Sequence, residues 1–428
     1  MRFVLGNRLL DRAGGTEVHL VTIGEELQRL GHEVWLYSPE LGSFSDEAQR
    51  RGLAIAGTVE ALPAQCDVVL AQDTIVSYDL GERFPGALTI FRICGDVVDF
   101  QTPPQVPDLV DLVIVLSDRY ERTAIGCATR APILRLQIPI DLHRLVPISV
   151  LPEVPRRAVL LGNYLERTDV VEAACAARGI EVARIGGAQQ SYNVGTALDG
   201  TDIVFAKSRA ALDAMACGRA VYVLDIFGGD GWVTPENYGI LEADHFAGLA
   251  TSRVIGPAEI EHDLTLYDAA MGPANRDLIV QHHSPRDHVL ALLEAIADRV
   301  PAPRPAAPLR ELSRLTALNW SWEQISIEHR AGAARAQAQT ADDGRLLVAR
   351  VEAEREDFRQ RLRDVEARAE AAERDAAQAH NAHGDLAAVI ARTGDPVALR
   401  AELEAMRRTR AWRMATWFWQ LKARLGPR

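Results

Sequence analysis

Thr201-Asp-Ile-Val-Phe-Ala-Lys-Ser-Arg-Ala-Ala-Leu-Asp-Ala-Met-Ala-Cys-Gly-Arg-Ala-Val-Tyr-Val-Leu-Asp225 reads as a strand, a turn, a helix closed by Gly218, and a second strand. The first strand, ending at Ala206, is apolar on both faces, as a buried parallel strand must be. Lys207, Ser208, Arg209 and Asp213 fall at the turn and in the first helical turns. Backbone N–H groups at a helix start favour a diphosphate. A carboxylate one turn later is placed to accept hydrogen bonds from ribose hydroxyls. The segment therefore points to a site for a nucleotide carrying a diphosphate. An ordinary βαβ crossover, with Asp213 a solvated helix residue, has the same local pattern.

Outward from this unit, short apolar runs alternate with helical patterns over the first ~300 residues, which predicts open, mostly parallel sheets. The runs in the first half are Arg2–Asn7, Glu33–Ser38, Asp67–Gln72, Ala87–Ile93 and Leu112–Ser117. Prolines recur from Pro139 to Pro155, and a second series follows: Ala158–Asn163, Ile180–Gly186, Asp202–Ala206 and Ala220–Ile226. This predicts two α/β domains, residues 1–150 and 151–299, joined by a Pro-rich hinge. Ligands of such sheets sit outside the carboxyl ends of the strands, so the cleft between the domains is the expected site.

Composition narrows the partners. The chain has 428 residues, 48% of them hydrophobic, which suffices for sizeable cores. Its formal net charge of −12 argues against a nucleic-acid partner, which needs a dominant basic face. Cys66, Cys94, Cys127, Cys175 and Cys217 are scattered without a CxxC pair, as expected of reduced thiols rather than a disulfide framework or zinc site. Residues 2–7 read directly as a strand, not as a signal peptide. No apolar run approaches the ~18 residues that span a bilayer.

After Arg299 the composition shifts. Residues 300–312 read as a stiff Pro-rich linker and 313–400 as an Ala/Arg/Glu-rich helical segment. Val351, Phe358, Val365, Ala372 and Ala379 recur every seven residues, but the matching d positions are polar. A coiled coil over 345–380, forming a homo-oligomer, and a single charged helix held by pairs such as Asp357–Arg361 both fit. In residues 401–428, Met414, Trp417, Phe418, Leu421 and Leu425 make one apolar stripe flanked by arginines and lysine. Such a stripe suits an anionic membrane surface through 405–428; packing on the protein's own body or closing a helical dimer are the other readings.

Three segments carry a resemblance. Gly14-Gly-Thr-Glu-Val-His-Leu-Val-Thr-Ile-Gly-Glu-Glu-Leu-Gln-Arg-Leu-Gly-His-Glu-Val34 resembles the opening of GT-B glycosyltransferases of the large retaining family four. There a double glycine precedes a helix ending in Arg-Gly-His-Glu-Val. Asp111–Ser117 followed by Ile138–Leu145 resembles that family's last N-domain strand and its Pro-Asn-Gly-Val-Asp linker. Leu212-Asp-Ala-Met-Ala-Cys-Gly218 resembles its Leu-Glu-Ala-Met-Ala-Cys-Gly nucleotide motif. The resemblance covers roughly residues 1–298. Arg408–Thr416 is similar to a Ser-x-Ser-Trp-Arg-x-Thr tail of bacterial surface-polysaccharide enzymes.

The resemblance implies two Rossmann-like domains, the first facing the acceptor and the second the nucleotide sugar. It implies transfer of a sugar to a growing, lipid-linked cell-surface glycan with retention, at the inner face of the membrane. No cofactor and no essential metal are expected. Asp213 takes the place of the family's ribose-binding glutamate. Gly14 and Gly15 let the backbone approach a diphosphate, although a tight βα turn would also need glycine. Lys207 and Arg209 are candidates to neutralise the leaving pyrophosphate, or are solvated cations. Gly228 and Gly229 belong to a loop expected to help form the cleft, or to a plain surface turn.

The chain also departs from the family. Phe205 stands where the first glutamate of the Glu-x7-Glu pair belongs, Gly162–Arg167 offers only Arg167 as a phosphate-gripping cation, and Arg92-Ile-Cys-Gly-Asp96 holds no histidine. Asp96 is the one carboxylate offered there as a base. A non-catalytic GT-B scaffold, recruiting partners at the membrane through the tail, is the rival reading.

Overall fold

The computed structural model describes residues 1–95, 99–127, 129–162, 168–186, 192–225, 228–251, 253–304 and 307–322, with a few positions between 356 and 367. Residues 1–319 form one compact unit and 320–425 another.

The first sheet is built from β1 (Arg2–Gly6), β3 (Glu33–Tyr37), β5 (Ala54–Ala56), β6 (Val68–Ala71), β7 (Leu88–Arg92), β8 (Leu112–Val115) and β9 (Ile133–Arg135); β2 (Leu9–Leu10) and β4 (Glu40–Leu41) pair separately. Its strand order is β5-β3-β1-β6-β7-β8-β9, all parallel. The order reverses beside β1, which opens a crevice at the carboxyl ends of β1 and β6. The helices are α1 (Gly15–Arg29), α2 (Ser43–Arg50), α3 (Thr74–Arg83) and α4 (Asp118–Ile125). They bury the central strands, so Phe3, Val4, Leu5, Val69, Ile90 and Val113 are almost fully inaccessible.

The second sheet comprises β10 (Arg157–Leu161), β11 (Glu181–Ile185), β12 (Ile203–Ala206), β13 (Ala220–Asp225) and β14 (Gly228–Trp232), in the order β11-β10-β12-β13-β14. β14 alone runs antiparallel. The glycine-rich stretch read as a loop is therefore an edge strand. Its glycines are there for close packing: a Cβ on Gly229 would lie 2.6 Å from the Val223 carbonyl oxygen, and one on Gly228 would strike that of Arg253. The helices of this half are α5 (Thr168–Ala176), α6 (Val194–Ala197), α7 (Ser208–Ala216), α8 (Tyr238–Ala243), α9 (Pro257–Asp263), α10 (Met271–His282) and α11 (Pro285–Ile296). Helix α7 ends as expected, with Gly218 in the left-handed region at φ 68°.

The two halves share one continuous core. Helix α11 packs on α1, and its Val289, Leu292 and Ile296 join the cluster that holds Leu20, Ile23 and Leu27. The crossing segment after β9 is pinned from both sides. Arg144 makes a two-pronged bond to Glu25 at 2.7 Å on each arm, and its Nη1 also donates to Asp141. The His283 Nδ1 meets the Ile138 carbonyl at 2.7 Å while its Nε2 faces the Tyr238 hydroxyl at 2.7 Å.

The Pro-rich stretch is no free spacer. Residues 300–304 and 307–313 lie back along the first sheet: Ala302 N donates to Asp111, and Arg304 donates to Asp111 at 2.7 Å and to the carbonyl of Leu109. Leu309 is buried with Tyr78 and Leu109. In the second unit the described positions are helical and carry the expected Asp357–Arg361 pair at 2.6 Å. The heptad seam and the stripe of residues 405–428 fall outside the described residues. Among the described residues no helix is long and apolar enough to cross a membrane.

Candidate active site

The carboxyl ends of β1, β6 and β7 from the first sheet and of β10 and β12 from the second open on one cavity of about 470 Å³. Two helix starts meet there. An ideal Cβ on Gly15, the first residue of α1, would lie 3.9 Å from the Cβ of Arg209 in the first turn of α7. Neither helix has a side-chain cap, so N–H groups at both starts depend on other partners.

The sequence-derived candidates divide clearly. Gly14, Gly15, Lys207, Ser208, Arg209 and Asp213 all line this cavity. Gly228 and Gly229 do not line it; they sit in β14 at the far edge of the second sheet. Asp96 and Arg167 lie outside the described residues.

The reason for glycine at position 14 is space, not a special dihedral. Its backbone is extended (φ −131°, ψ 175°), and the place a Cβ would take is filled by the Glu17 carboxyl. Glu17, 7% exposed, accepts from the Asn7 amide at 3.1 Å. Burial pushes its pKa up to about 7, against the lowering effect of hydrogen bonds from its own backbone, Thr16 and Asn7. A neutral carboxyl therefore occupies the mouth of α1 near pH 6, and a carboxylate above pH 7.

Asp213, its side chain 14% exposed, stands beside Arg209, with Oδ1 3.5 Å from the Arg209 Nε. Burial raises its pKa, and Arg209 opposes that rise. Arg209 itself is held in the cavity wall: Nη1 donates to the Pro139 carbonyl at 3.3 Å, while Nε and Nη2 are closed off from solvent without a hydrogen-bond partner among the described residues. Its geometry is that of a positioner for Asp213 rather than of a direct phosphate contact. Ser208 opens α7 at φ 50°, and its N–H donates to the Phe246 carbonyl at 2.8 Å, so that donor is taken. Behind the same wall, the fully buried His19 is edge-on to His288 at 5.7 Å, and burial holds its pKa well below the usual histidine range.

Glu17 and Arg92 escaped the sequence reading. The signal for Arg92 was an arginine closing the apolar strand Leu88–Arg92, at the strand end where ligands gather. Glu17 had none beyond its place three residues after Gly14.

No family model matches the sequence, and no curated protein matches it. Among solved structures, Anabaena HepE in complex with UDP and glucose is similar at TM-score 0.50 and 12% identity, over 69% of this chain and 99% of that one. The fold is GT-B. The same Anabaena protein in complex with UDP is similar at TM-score 0.50 and 11% identity, over 70% of this chain and 100% of that one. The calicheamicin glycosyltransferase CalG4 is similar over 70% of this chain at TM-score 0.41 and 14% identity. The cavity lies where a GT-B fold presents both sheets' strand ends to one cleft.

Proposed function

We propose that the chain is a glycosyltransferase that moves a sugar from a nucleotide diphosphate donor to a growing, lipid-linked cell-surface glycan. The observation that carries this is the convergence of two helix starts, one from each domain of a GT-B fold, on a single cavity. The α1 start supplies a glycine loop, and the α7 start supplies Lys207 and Asp213.

In the reaction the bond between the anomeric carbon and the donor phosphate oxygen breaks, and its electron pair leaves with the diphosphate. The acceptor hydroxyl forms the new bond and gives up its proton. Charge that develops on the leaving group is met by pre-oriented N–H groups at the helix starts and by Lys207. With retention, the leaving phosphate takes the proton; Asp96 is the carboxylate proposed as a base in its place. No metal is invoked. The purified chain, offered a panel of nucleotide sugars, should release nucleoside diphosphate by slow donor hydrolysis or transfer. Absence of binding by any nucleoside diphosphate would refute the reading.

One observation favours the scaffold alternative. Phe205 is fully buried in the core of the second sheet, so no side chain at that position reaches the donor. Normal nucleotide binding with neither transfer nor hydrolysis would decide for it. In either case residues 405–428 are proposed to rest on anionic membrane at the cytoplasmic face. Deleting them should abolish liposome binding and leave nucleotide binding intact; unaltered liposome binding by the truncated chain would remove the tail from that role.

A further inference from the structure

Arg92 is a cation that the fold has taken out of water without giving it a counter-ion among the described residues. It is 3% exposed at the carboxyl end of β7, and it lines the cavity. Its Nη1 donates to the Gln72 side-chain oxygen and to the Cys94 sulfur, both uncharged partners. Among the described residues its Nε has no hydrogen-bond partner and it makes no ion pair. Burial lowers its pKa, the Cys94 thiol and the Tyr120 hydroxyl oppose that, and the like-charged Arg209 adds to it. A buried guanidinium without a carboxylate costs several kcal/mol unless something else answers it.

The placement is built, not incidental. The Gln72 amide that receives Arg92 turns its other end to α1 and donates to the Thr16 carbonyl at 3.1 Å. One side-chain amide therefore holds Arg92 in register with the first turn of α1, whose Gly15, Thr16 and Glu17 line the same cavity. Every other arginine lining that space has a carboxylate nearby: Arg8 pairs with Glu40 and Arg209 stands beside Asp213. A planar fork next to a helix start is the arrangement that grips a phosphate through two oxygens.

We infer that Arg92, held by Gln72 against the start of α1, forms an anion subsite on the first-domain side of the cleft that takes a phosphate-class oxyanion. The inference deepens the glycosyltransferase reading and rests on it for the choice of cavity. Two sources share the chemistry: the donor's diphosphate and a phosphate carried by a lipid-linked acceptor.

The test uses the full chain in phosphate-free buffer, titrated calorimetrically with inorganic pyrophosphate. Arg92→Met, which keeps the length and loses the charge, should weaken pyrophosphate binding by roughly tenfold to a hundredfold. Arg92→Lys keeps the charge but loses the fork and should weaken it by roughly threefold or more. If Arg92→Met does not fold, the lysine variant decides alone. Two further arms separate the sources. An equal loss with UDP, dTDP, GDP or ADP puts the donor's diphosphate at Arg92. A loss confined to geranyl diphosphate puts the acceptor's phosphate there, and both results support the subsite. Wild-type chain that ignores pyrophosphate, or folded variants that bind it as wild type does, would overturn the inference. The donor reading falls separately, if pyrophosphate binds and no nucleoside diphosphate does.

Discussion

Asp213 and Glu17 show how burial sets the chemistry of single carboxyls in this cavity. Asp213 lines the cavity beside Arg209, so its removal should cost nucleotide affinity. Asp213→Ala is expected to weaken nucleoside diphosphate binding by roughly 1.5–3 kcal/mol, the range for a hydrogen bond to a charged group. Calorimetric titration of the folded variant checks this, and unchanged affinity would take Asp213 out of the site. Glu17 yields a pH signature. Its pKa rises from 4.5 to about 7 on folding, so between those values the folded chain holds a proton that the unfolded chain has released. Its contribution is therefore complete below pH 4.5 and is lost as pH climbs through 7. The loss amounts to on the order of 3 kcal/mol. Glu17→Gln, which stays neutral, should match wild type in urea unfolding at pH 4.5 and exceed it at pH 8. A difference that stays flat across that range would mean that Glu17 titrates as an exposed glutamate does.

At the scale of elements, the start of α7 is the strained place. Ser208 sits at φ 50°, and the segment it bonds to holds His245 and Phe246 at φ 62° and 51°. Three non-glycine residues in the left-handed region, two of them lining the cavity or stacked at its edge, form the kind of cluster that functional sites retain. Ser208→Gly relieves one of them and should stabilise the chain by about 0.5–1 kcal/mol despite the added freedom of the unfolded glycine. A thermal midpoint that falls instead would show that the serine hydroxyl makes a bond worth more than the strain. His283, which caps the end of α10, and His288 in α11 have the opposite pH sense to Glu17. Burial pulls His283 and His288 down to about 4, so folding stability is lost as pH falls from 6.5 toward 4, where the unfolded chain takes up protons that these rings refuse. Blocking that uptake with His288→Gln should flatten the acid limb of the unfolding profile; an unaltered limb would assign it to other groups.

For the whole molecule, the strap of residues 300–313 ties the end of the second half to the base of the first sheet. Arg304 and Asp111 are 7% and 5% exposed, so truncating one strands the other as a buried charge. Arg304→Ala should therefore destabilise the chain by about 3–5 kcal/mol, and Arg304→Ala with Asp111→Asn should recover part of it. Denaturant unfolding of the four-member cycle measures the coupling; strictly additive effects would mean that the pair is not what holds the strap.

What the sequence determined by itself was everything encoded in short-range period and turn chemistry. Strands β1, β3, β6 to β8 and β10 to β13, and helix α7 with its glycine stop, are legible because apolar runs and caps are local properties of the chain, whereas the three-residue edge strands β5 and β9 carry too short a run to read. The Asp357–Arg361 pair is legible for the same reason, since helical spacing alone brings the two together. Their order predicts two α/β domains, and the resemblance of Gly14–Val34, Asp111–Leu145 and Leu212–Gly218 points to the GT-B fold. Only the tertiary structure decided the rest. Gly228–Trp232 became an edge strand because Val223 and the segment at Arg253 crowd it from either side. The Pro-rich stretch became a strap because Arg304 finds a carboxylate 193 residues earlier in the chain. Glu17 acquired a perturbed pKa, and Arg92 a buried charge without a counter-ion among the described residues, through the closing of walls contributed by separate strands. Desolvation is a property of what surrounds a side chain in space, and no window of neighbouring residues contains it.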